Sequence, residues 1–243
     1  MTSISTQGGS NTFDTVYNHV KTFPVPLLPP GKSYDASMTD TISSLYVHPS
    51  KPYILSNPHP FLTTTALESL LHILNHDLPS AHFLVRKMQS APAVEGMYIH
   101  GLLHRVEGDL NNTRAWYADV CSTDVFTNHW GPVPDDPNSD PAAGKVEYKD
   151  EKYYNEDGGK APPQAAARVF LNSIEALQKT GKGDRAALER QSREEIEALM
   201  SYCVDKFGKE KVLDAREAFV ENSDEIKSMS EDMIGGDRGY RKF

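Results

Sequence analysis

The sequence has few or none of the features that mark several broad classes of protein. Its 243 residues include only two cysteines, Cys121 and Cys203, which are too few for a disulfide framework and lack zinc-finger spacing. No window approaches the roughly 18 apolar residues that a membrane helix needs. Residues 1–20 also lack the short apolar core of a secretory signal. These absences predict a cytoplasmic protein that is not inserted into a membrane.

Positive charge and the common catalytic fingerprints are scarce as well. Lysine and arginine together number 25, against 34 aspartates and glutamates, which gives a net charge of −9. This acidity argues against a nucleic-acid partner, whose usual mark is a basic face. The motifs GxGxxG, GxxxxGKS/T, GxSxG and HExxH do not occur. A small molecule, or a protein or peptide, remains as the expected partner, and the oligomeric state stays open.

Proline is unevenly distributed and divides the chain. Eight of the 16 prolines fall in residues 1–60 and six in residues 132–163, and none follows. Because proline resists helix interiors, we expect an extended, proline-rich N-terminal arm over 1–60 that lies on a core. We expect a single helical domain over 61–243, which an acidic, irregular loop interrupts at 122–163.

Apolar residues recur at helical spacing through most of this domain, whereas strand-like alternation is nearly absent. Gly108 fits the left-handed position after a helix, and Asp109 fits the N-cap of the next one. Two helices joined by so short a turn form an antiparallel hairpin. The sequence therefore predicts an all-α fold built on antiparallel helical hairpins. The predicted helices lie within residues 62–78, 80–89, 94–107, 110–120, 164–180, 184–207 and 211–222.

Histidine is concentrated in the first helical block. Five of the nine histidines lie within 33 residues, and on a predicted helix His100, His104 and Glu107 fall at i, i+4 and i+7, which forms one stripe. Two imidazoles and a carboxylate are a recognised ligand set for zinc or non-haem iron. His82 on the preceding helix is a candidate fourth ligand. The sequence thus predicts a site for a divalent transition metal, Zn or Fe.

A structural interpretation of the same residues is also open. Polar side chains at a helix–turn–helix junction often satisfy one another and the helix ends. Asp109 needs no ligand if it is a cap, and Arg105 could pair with Glu107 or Asp109.

The segment around these residues resembles a fungal and bacterial family of helical proteins with no established activity. Its signature is an Ala-His dipeptide on one helix, then H-x-x-x-H-R-x-E-G-D-x-x-N, then an aromatic pair. The segment also resembles one tetratricopeptide or Sel1-like hairpin, with the Gly-Asp turn where those repeats turn. The resemblance implies helical hairpins and the location of a site, but no reaction. The matching residues are His82, His100, His104, Arg105, Glu107, Gly108, Asp109, Asn112, Trp116 and Tyr117.

Two main functions follow from these features. One is a helical binding or scaffold protein of unknown ligand, with a polar cluster of His, Arg, Glu and Asp between its helices. The other is a metal-dependent enzyme on a small molecule, with the predicted ligand set as its centre. In that enzyme Arg105 would bind the substrate, and Asp109 would orient a group or accept a proton. A metal-free enzyme with a histidine base is a third alternative.

Overall fold

The computed structural model of the chain describes residues 12–45, 60–132 and 163–209. Within these ranges the backbone forms nine helices and no strand, which confirms the predicted all-α fold. Among these helices, none combines the length and the apolar content that crossing a membrane requires. In chain order the helices are α1 (Phe13–Val20), α2 (Met38–Ser43), α3 (Pro60–Leu74), α4 (Leu78–Val85), α5 (Val94–Glu107), α6 (Leu110–Val120), α7 (Asp124–Trp130), α8 (Ala165–Thr180) and α9 (Arg185–Phe207).

The turn between α5 and α6 is the one that the sequence predicts. Gly108 follows α5 in the left-handed conformation at φ 82°, and the Asp109 carboxylate accepts from the Asn112 amide at 3.2 Å to cap α6. The two helices approach closely at Gly101, where an added Cβ would lie 2.8 Å from the Cβ of Trp116. The stacking of successive hairpins, as in tetratricopeptide repeats, stays a prediction.

Residues 12–45, the described part of the N-terminal arm, lie on the core as expected, but the expectation that this part is extended needs correction. Its described part contains α1 and α2, and both pack against α3. Helix α1 forms because Thr12 caps it and apolar residues recur at i, i+3 and i+7. Within the described part of the arm, the prolines lie between these two helices. Its buried apolar residues are Phe13, Val16, Val20, Phe23, Leu27, Met38, Ile42 and Leu45.

The irregular loop expected over 122–163 also needs correction at its start. Helix α7 occupies residues 124–130 and buries Val125, Phe126 and Trp130. Apolar contacts outweigh the neighbouring prolines here, and the Trp130 indole donates to the Tyr98 hydroxyl at 2.8 Å. Residues 133–162 of this loop and the helix predicted over 211–222 lie outside the described residues.

Helix α5 is the central element of the described fold. It packs against α3, α4, α6 and α7, and ten of its 14 residues are buried. Polar side chains on such a helix must find partners within the protein, because water is not available to most of them. The polar residues of α5 therefore decide where chemistry can occur.

Candidate metal centre

Three histidine side chains from two helices meet between α4 and α5. His82 extends from α4, whereas His100 and His104 extend from α5, one turn apart. One ring nitrogen of each lies within 4.8 Å of a ring nitrogen of each of the others. The i,i+4 spacing places two rings on one face of α5, and the packing of α4 against α5 supplies the third. The structure thus brings the three predicted histidines together.

Helix α4 is short, and its ends are well defined. The Asp77 carboxylate caps its N-terminus by accepting from the Ser80 amide at 3.3 Å. Ala81 and Val85 are fully buried and anchor one face. His82 is one residue further along than Ala81, about 100° around the helix, so its ring lies beside that buried face and keeps 24% of its side chain exposed.

The rings form a stack with one perpendicular neighbour. His100 stacks between His104 and Trp116. The ring centroids of His100 and His104 are 4.8 Å apart with an interplanar angle of 15°, and those of His100 and Trp116 are 4.5 Å apart with an interplanar angle of 25°. The His82 ring is nearly perpendicular to the His104 ring, with an interplanar angle of 87° and a centroid distance of 5.4 Å. His100 is only 3% exposed, whereas the His104 side chain keeps 12%. The site therefore has a buried floor at His100 and a rim that is partly open to solvent.

Glu107 contacts two of the three imidazoles. His82 Nδ1 donates to Glu107 Oε1 at 3.1 Å, and Oε2 lies 3.2 Å from His104 Nδ1, an ion-pair contact whose angle departs from hydrogen-bond geometry. Burial raises the pKa of Glu107, but the contacts with His104 and His82 outweigh it and lower this pKa to about 2. An ionised carboxylate only accepts, so it favours a proton on each Nδ1 and leaves each Nε2 lone pair available.

This geometry changes the role predicted for Glu107. The sequence places Glu107 among the metal ligands, but in the structure its carboxylate lies against the Nδ1 atoms. A carboxylate in that position orients metal-binding imidazoles and raises their basicity. We therefore treat Glu107 as a positioning residue.

His100 is a buried imidazole without a hydrogen-bond partner. Neither Nδ1 nor Nε2 has one among the residues that the structure describes. Burial, together with the charges of His104 and His82, lowers the pKa of His100 to about 3, whereas the charge of Glu107 opposes the shift. The ring is therefore neutral at physiological pH. Leaving a buried polar group unpaired costs about 1–3 kcal/mol, so a ligand for one of these nitrogens would remove a real penalty.

The structure places Arg105 in the core and not at the histidines. Its guanidinium is fully buried and donates to Glu195 at 2.8 Å and to Ser192 at 3.1 Å. Tyr98 and Tyr117 also donate to Glu195, at 2.9 and 2.5 Å. A side chain enclosed in this way cannot reach a substrate at the open rim. The substrate-binding role predicted for Arg105 is therefore replaced by a structural ion pair.

Asp109 is accounted for by the end of α6. Besides accepting from the Asn112 amide, its carboxylate accepts from the Asn112 side-chain nitrogen at 2.6 Å. These contacts agree with the capping interpretation of the sequence. They explain the residue without the proton-transfer role that the enzyme hypothesis gives it.

Arg86 is a residue near the site that the sequence interpretation missed. It is the C-cap of α4, four positions after His82, so its side chain shares a helix face with that histidine. It is exposed, and its positive charge contributes to the lowered pKa of His100. The i,i+4 spacing is the signal that could have found it.

The donor set determines what this site can do. No family model, curated protein or solved structure matches the chain, so the chemistry is argued from the side chains themselves. Three neutral imidazoles are a known ligand set for Zn²⁺, with the fourth position left to water or substrate. The iron set of two histidines and one carboxylate would need Glu107 as a ligand, and Glu107 faces the Nδ1 atoms instead. The arrangement therefore favours zinc over iron.

Proposed function

We propose that the protein binds one divalent transition-metal ion, Zn²⁺ in first place, through His82, His100 and His104. A fourth coordination position stays open toward the rim. The observation that carries this proposal is the buried, unpartnered imidazole of His100 within 4.8 Å of two further imidazole nitrogens. It favours the metal-dependent alternative over the scaffold alternative and reassigns Glu107 as a positioning residue.

The distances are compatible with ligation after small side-chain movements. Tetrahedral zinc with bonds of 2.0–2.1 Å separates its nitrogen ligands by about 3.3 Å. The separations here are at most 4.8 Å, and the two histidines at the rim are partly exposed. If the rings of His82 and His104 rotate so that each ligating nitrogen moves by up to about 1 Å, the site closes on a metal bound to His100.

The metal would supply chemistry that imidazoles and carboxylates alone do not. Zinc held by three neutral ligands lowers the pKa of a bound water to about 7 and polarises a carbonyl or phosphoryl oxygen. This is the chemistry of hydrolytic and hydration reactions on small molecules. The residues of the chain itself bind the ion, orient the imidazoles and leave one side open.

The direct test is a metal titration of the purified full chain. Protein prepared without chelators or a metal-affinity column is analysed for bound elements, and Zn²⁺ affinity is then measured by competition with a chromophoric chelator. We expect one Zn²⁺ per chain and a loss of affinity of tenfold or more in His82→Gln, His100→Gln and His104→Gln. His129→Gln is the matched control, because His129 packs on Trp130 and lies outside the three-histidine group.

Two results would count against the proposal. One is equal affinity in the wild type and in all three site variants. The other is a wild-type protein that binds no Zn²⁺, Fe²⁺, Mn²⁺, Cu²⁺ or Ni²⁺ and whose melting temperature none of these ions raises, since an ion that binds only the folded state must stabilise it. Circular dichroism of each variant confirms that it is folded.

A further inference from the structure

We propose that the open position of this metal centre takes an oxyanion, a carboxylate or phosphate group, and that Arg86 holds the same anion from the rim. The inference rests on the proposed function, because it concerns the ligand of that metal. It names a substrate class and a binding residue that the donor set alone does not identify.

The charge of the metal-loaded site favours an anion at the open position. The three imidazole ligands are neutral, so they leave the metal's double charge uncompensated. The nearby carboxylate of Glu107 contributes one negative charge, and Arg86 offsets it with one positive charge. A bound dication would thus give the site a net charge of about +2. A partly enclosed positive site of this kind selects an anion for its open position.

The position of Arg86 in the helix brings it close to the histidines. Arg86 follows His82 by one helical turn, and side chains at this spacing have Cβ atoms about 5–6 Å apart on one face. The Arg86 side chain is exposed, and the side chains of His82 and His104 also remain partly exposed. Among the described residues, its guanidinium forms no ion pair or hydrogen bond that would hold it away from the site.

The shape of an oxyanion matches a metal and a guanidinium at the same time. A guanidinium offers parallel N–H donors that match two oxygens of a carboxylate or phosphate. An oxyanion can place one oxygen on the metal and another on Arg86, whereas a monatomic anion such as chloride cannot bridge the two. Arg86 should therefore increase affinity for oxyanions and have little effect on chloride.

The test uses the full chain loaded with Co²⁺, whose visible absorption reports a change of ligand at the metal. Inorganic phosphate, acetate and chloride are titrated separately into the wild type, Arg86→Gln and Lys87→Gln. Lys87 is the matched control, because it is the next exposed cation and its loss changes net charge equally. We expect Arg86→Gln to weaken phosphate or acetate binding tenfold or more. Co²⁺ affinity, chloride binding and the Lys87→Gln protein should stay close to the wild type.

The outcomes separate this inference from the proposed function. If Co²⁺ does not bind at the histidines, the metal site fails, and the inference fails with it. If Co²⁺ binds but oxyanion affinity is the same in Arg86→Gln and the wild type, or falls equally in Lys87→Gln, only the role of Arg86 is overturned. Dependence on Arg86 with phosphate alone assigns the ligand to phosphates, and with acetate alone to carboxylates.

Discussion

Replacing Glu107 by glutamine tests whether this carboxylate positions the metal ligands. The substitution keeps the size of the side chain and replaces one acceptor oxygen by an NH₂ group. One of the two contacts, to His82 at 3.1 Å or to His104 at 3.2 Å, must then join two donors. That imidazole has to rotate or move its proton to Nε2, and either change removes a lone pair from the metal.

The size of the effect follows from the number of ligands that Glu107 touches. Loss of one such outer partner typically lowers metal affinity 10–100-fold. Glu107 contacts two of the three proposed ligands, so we expect Glu107→Gln to weaken Zn²⁺ binding by about 100-fold, or about 2.7 kcal/mol. The variant should still bind one Zn²⁺, because all three imidazoles remain.

Competition with a chromophoric chelator measures this affinity, and the Co²⁺ spectrum reports the ligand set. Glu189→Gln is the matched control, because Glu189 is a partly exposed glutamate that pairs with Arg185 on the same helix, α9. A Glu107→Gln protein that binds Zn²⁺ as tightly as the wild type would refute the positioning role. A different result would make Glu107 a metal ligand after all. In that case Glu107→Gln binds Zn²⁺ more weakly, Glu189→Gln binds it as the wild type does, and the Co²⁺ spectrum of Glu107→Gln reports the loss of an oxygen ligand.

Three further predictions concern the core around the site. Arg105→Met should lower the free energy of unfolding by about 3–5 kcal/mol in a denaturant titration, because it leaves the buried Glu195 carboxylate without its cation. Gly101→Ala should lower the free energy of unfolding by about 1–3 kcal/mol, observed as a lower melting temperature, since the added Cβ would lie 2.8 Å from the Trp116 Cβ. Cys203 should not react with the thiol reagent DTNB until the protein is unfolded, because burial raises the pKa of its thiol.

Each of these predictions has a result that contradicts it. Unchanged denaturation of Arg105→Met would mean that the carboxylate of Glu195 protonates or finds another partner. A melting temperature of Gly101→Ala equal to that of the wild type would mean that α6 can shift without cost. Rapid reaction of Cys203 under native conditions would show that it is reached through local opening.

Local signals explain why the α5–α6 hairpin and the histidine pair could be predicted. Gly108 and Asp109 define a turn within two residues, and the spacing of His100 and His104 places two rings on one face of a helix. These features depend only on neighbours in the chain. His82 could be suggested but not placed, because its distance from the pair depends on how α4 packs against α5.

Features that depend on distant partners could not be predicted in this way. The short helices α1 and α7 lie beside proline-rich stretches, and apolar burial against the core decides their structure. The partner of Arg105 is Glu195, 90 positions away, and no local pattern connects the two. The role predicted for Arg105 at the histidine site could nevertheless have been excluded from the sequence. At about 100° per residue, Arg105 lies roughly 140° around α5 from His100, so helical geometry alone separates it from the histidine face.

This separation of faces relates the core to the proposed metal centre. Tyr98 and Arg105 are seven positions apart on one face of α5, and both donate to Glu195 of α9. Two contacts from one face to a single buried carboxylate fix the rotation of α5 about its own axis. Because His100 extends from the opposite face of the same rigid helix, its direction toward His82 depends on that rotation. The arginine that the sequence suggests as a substrate ligand thus helps to position the buried imidazole on which the metal proposal depends.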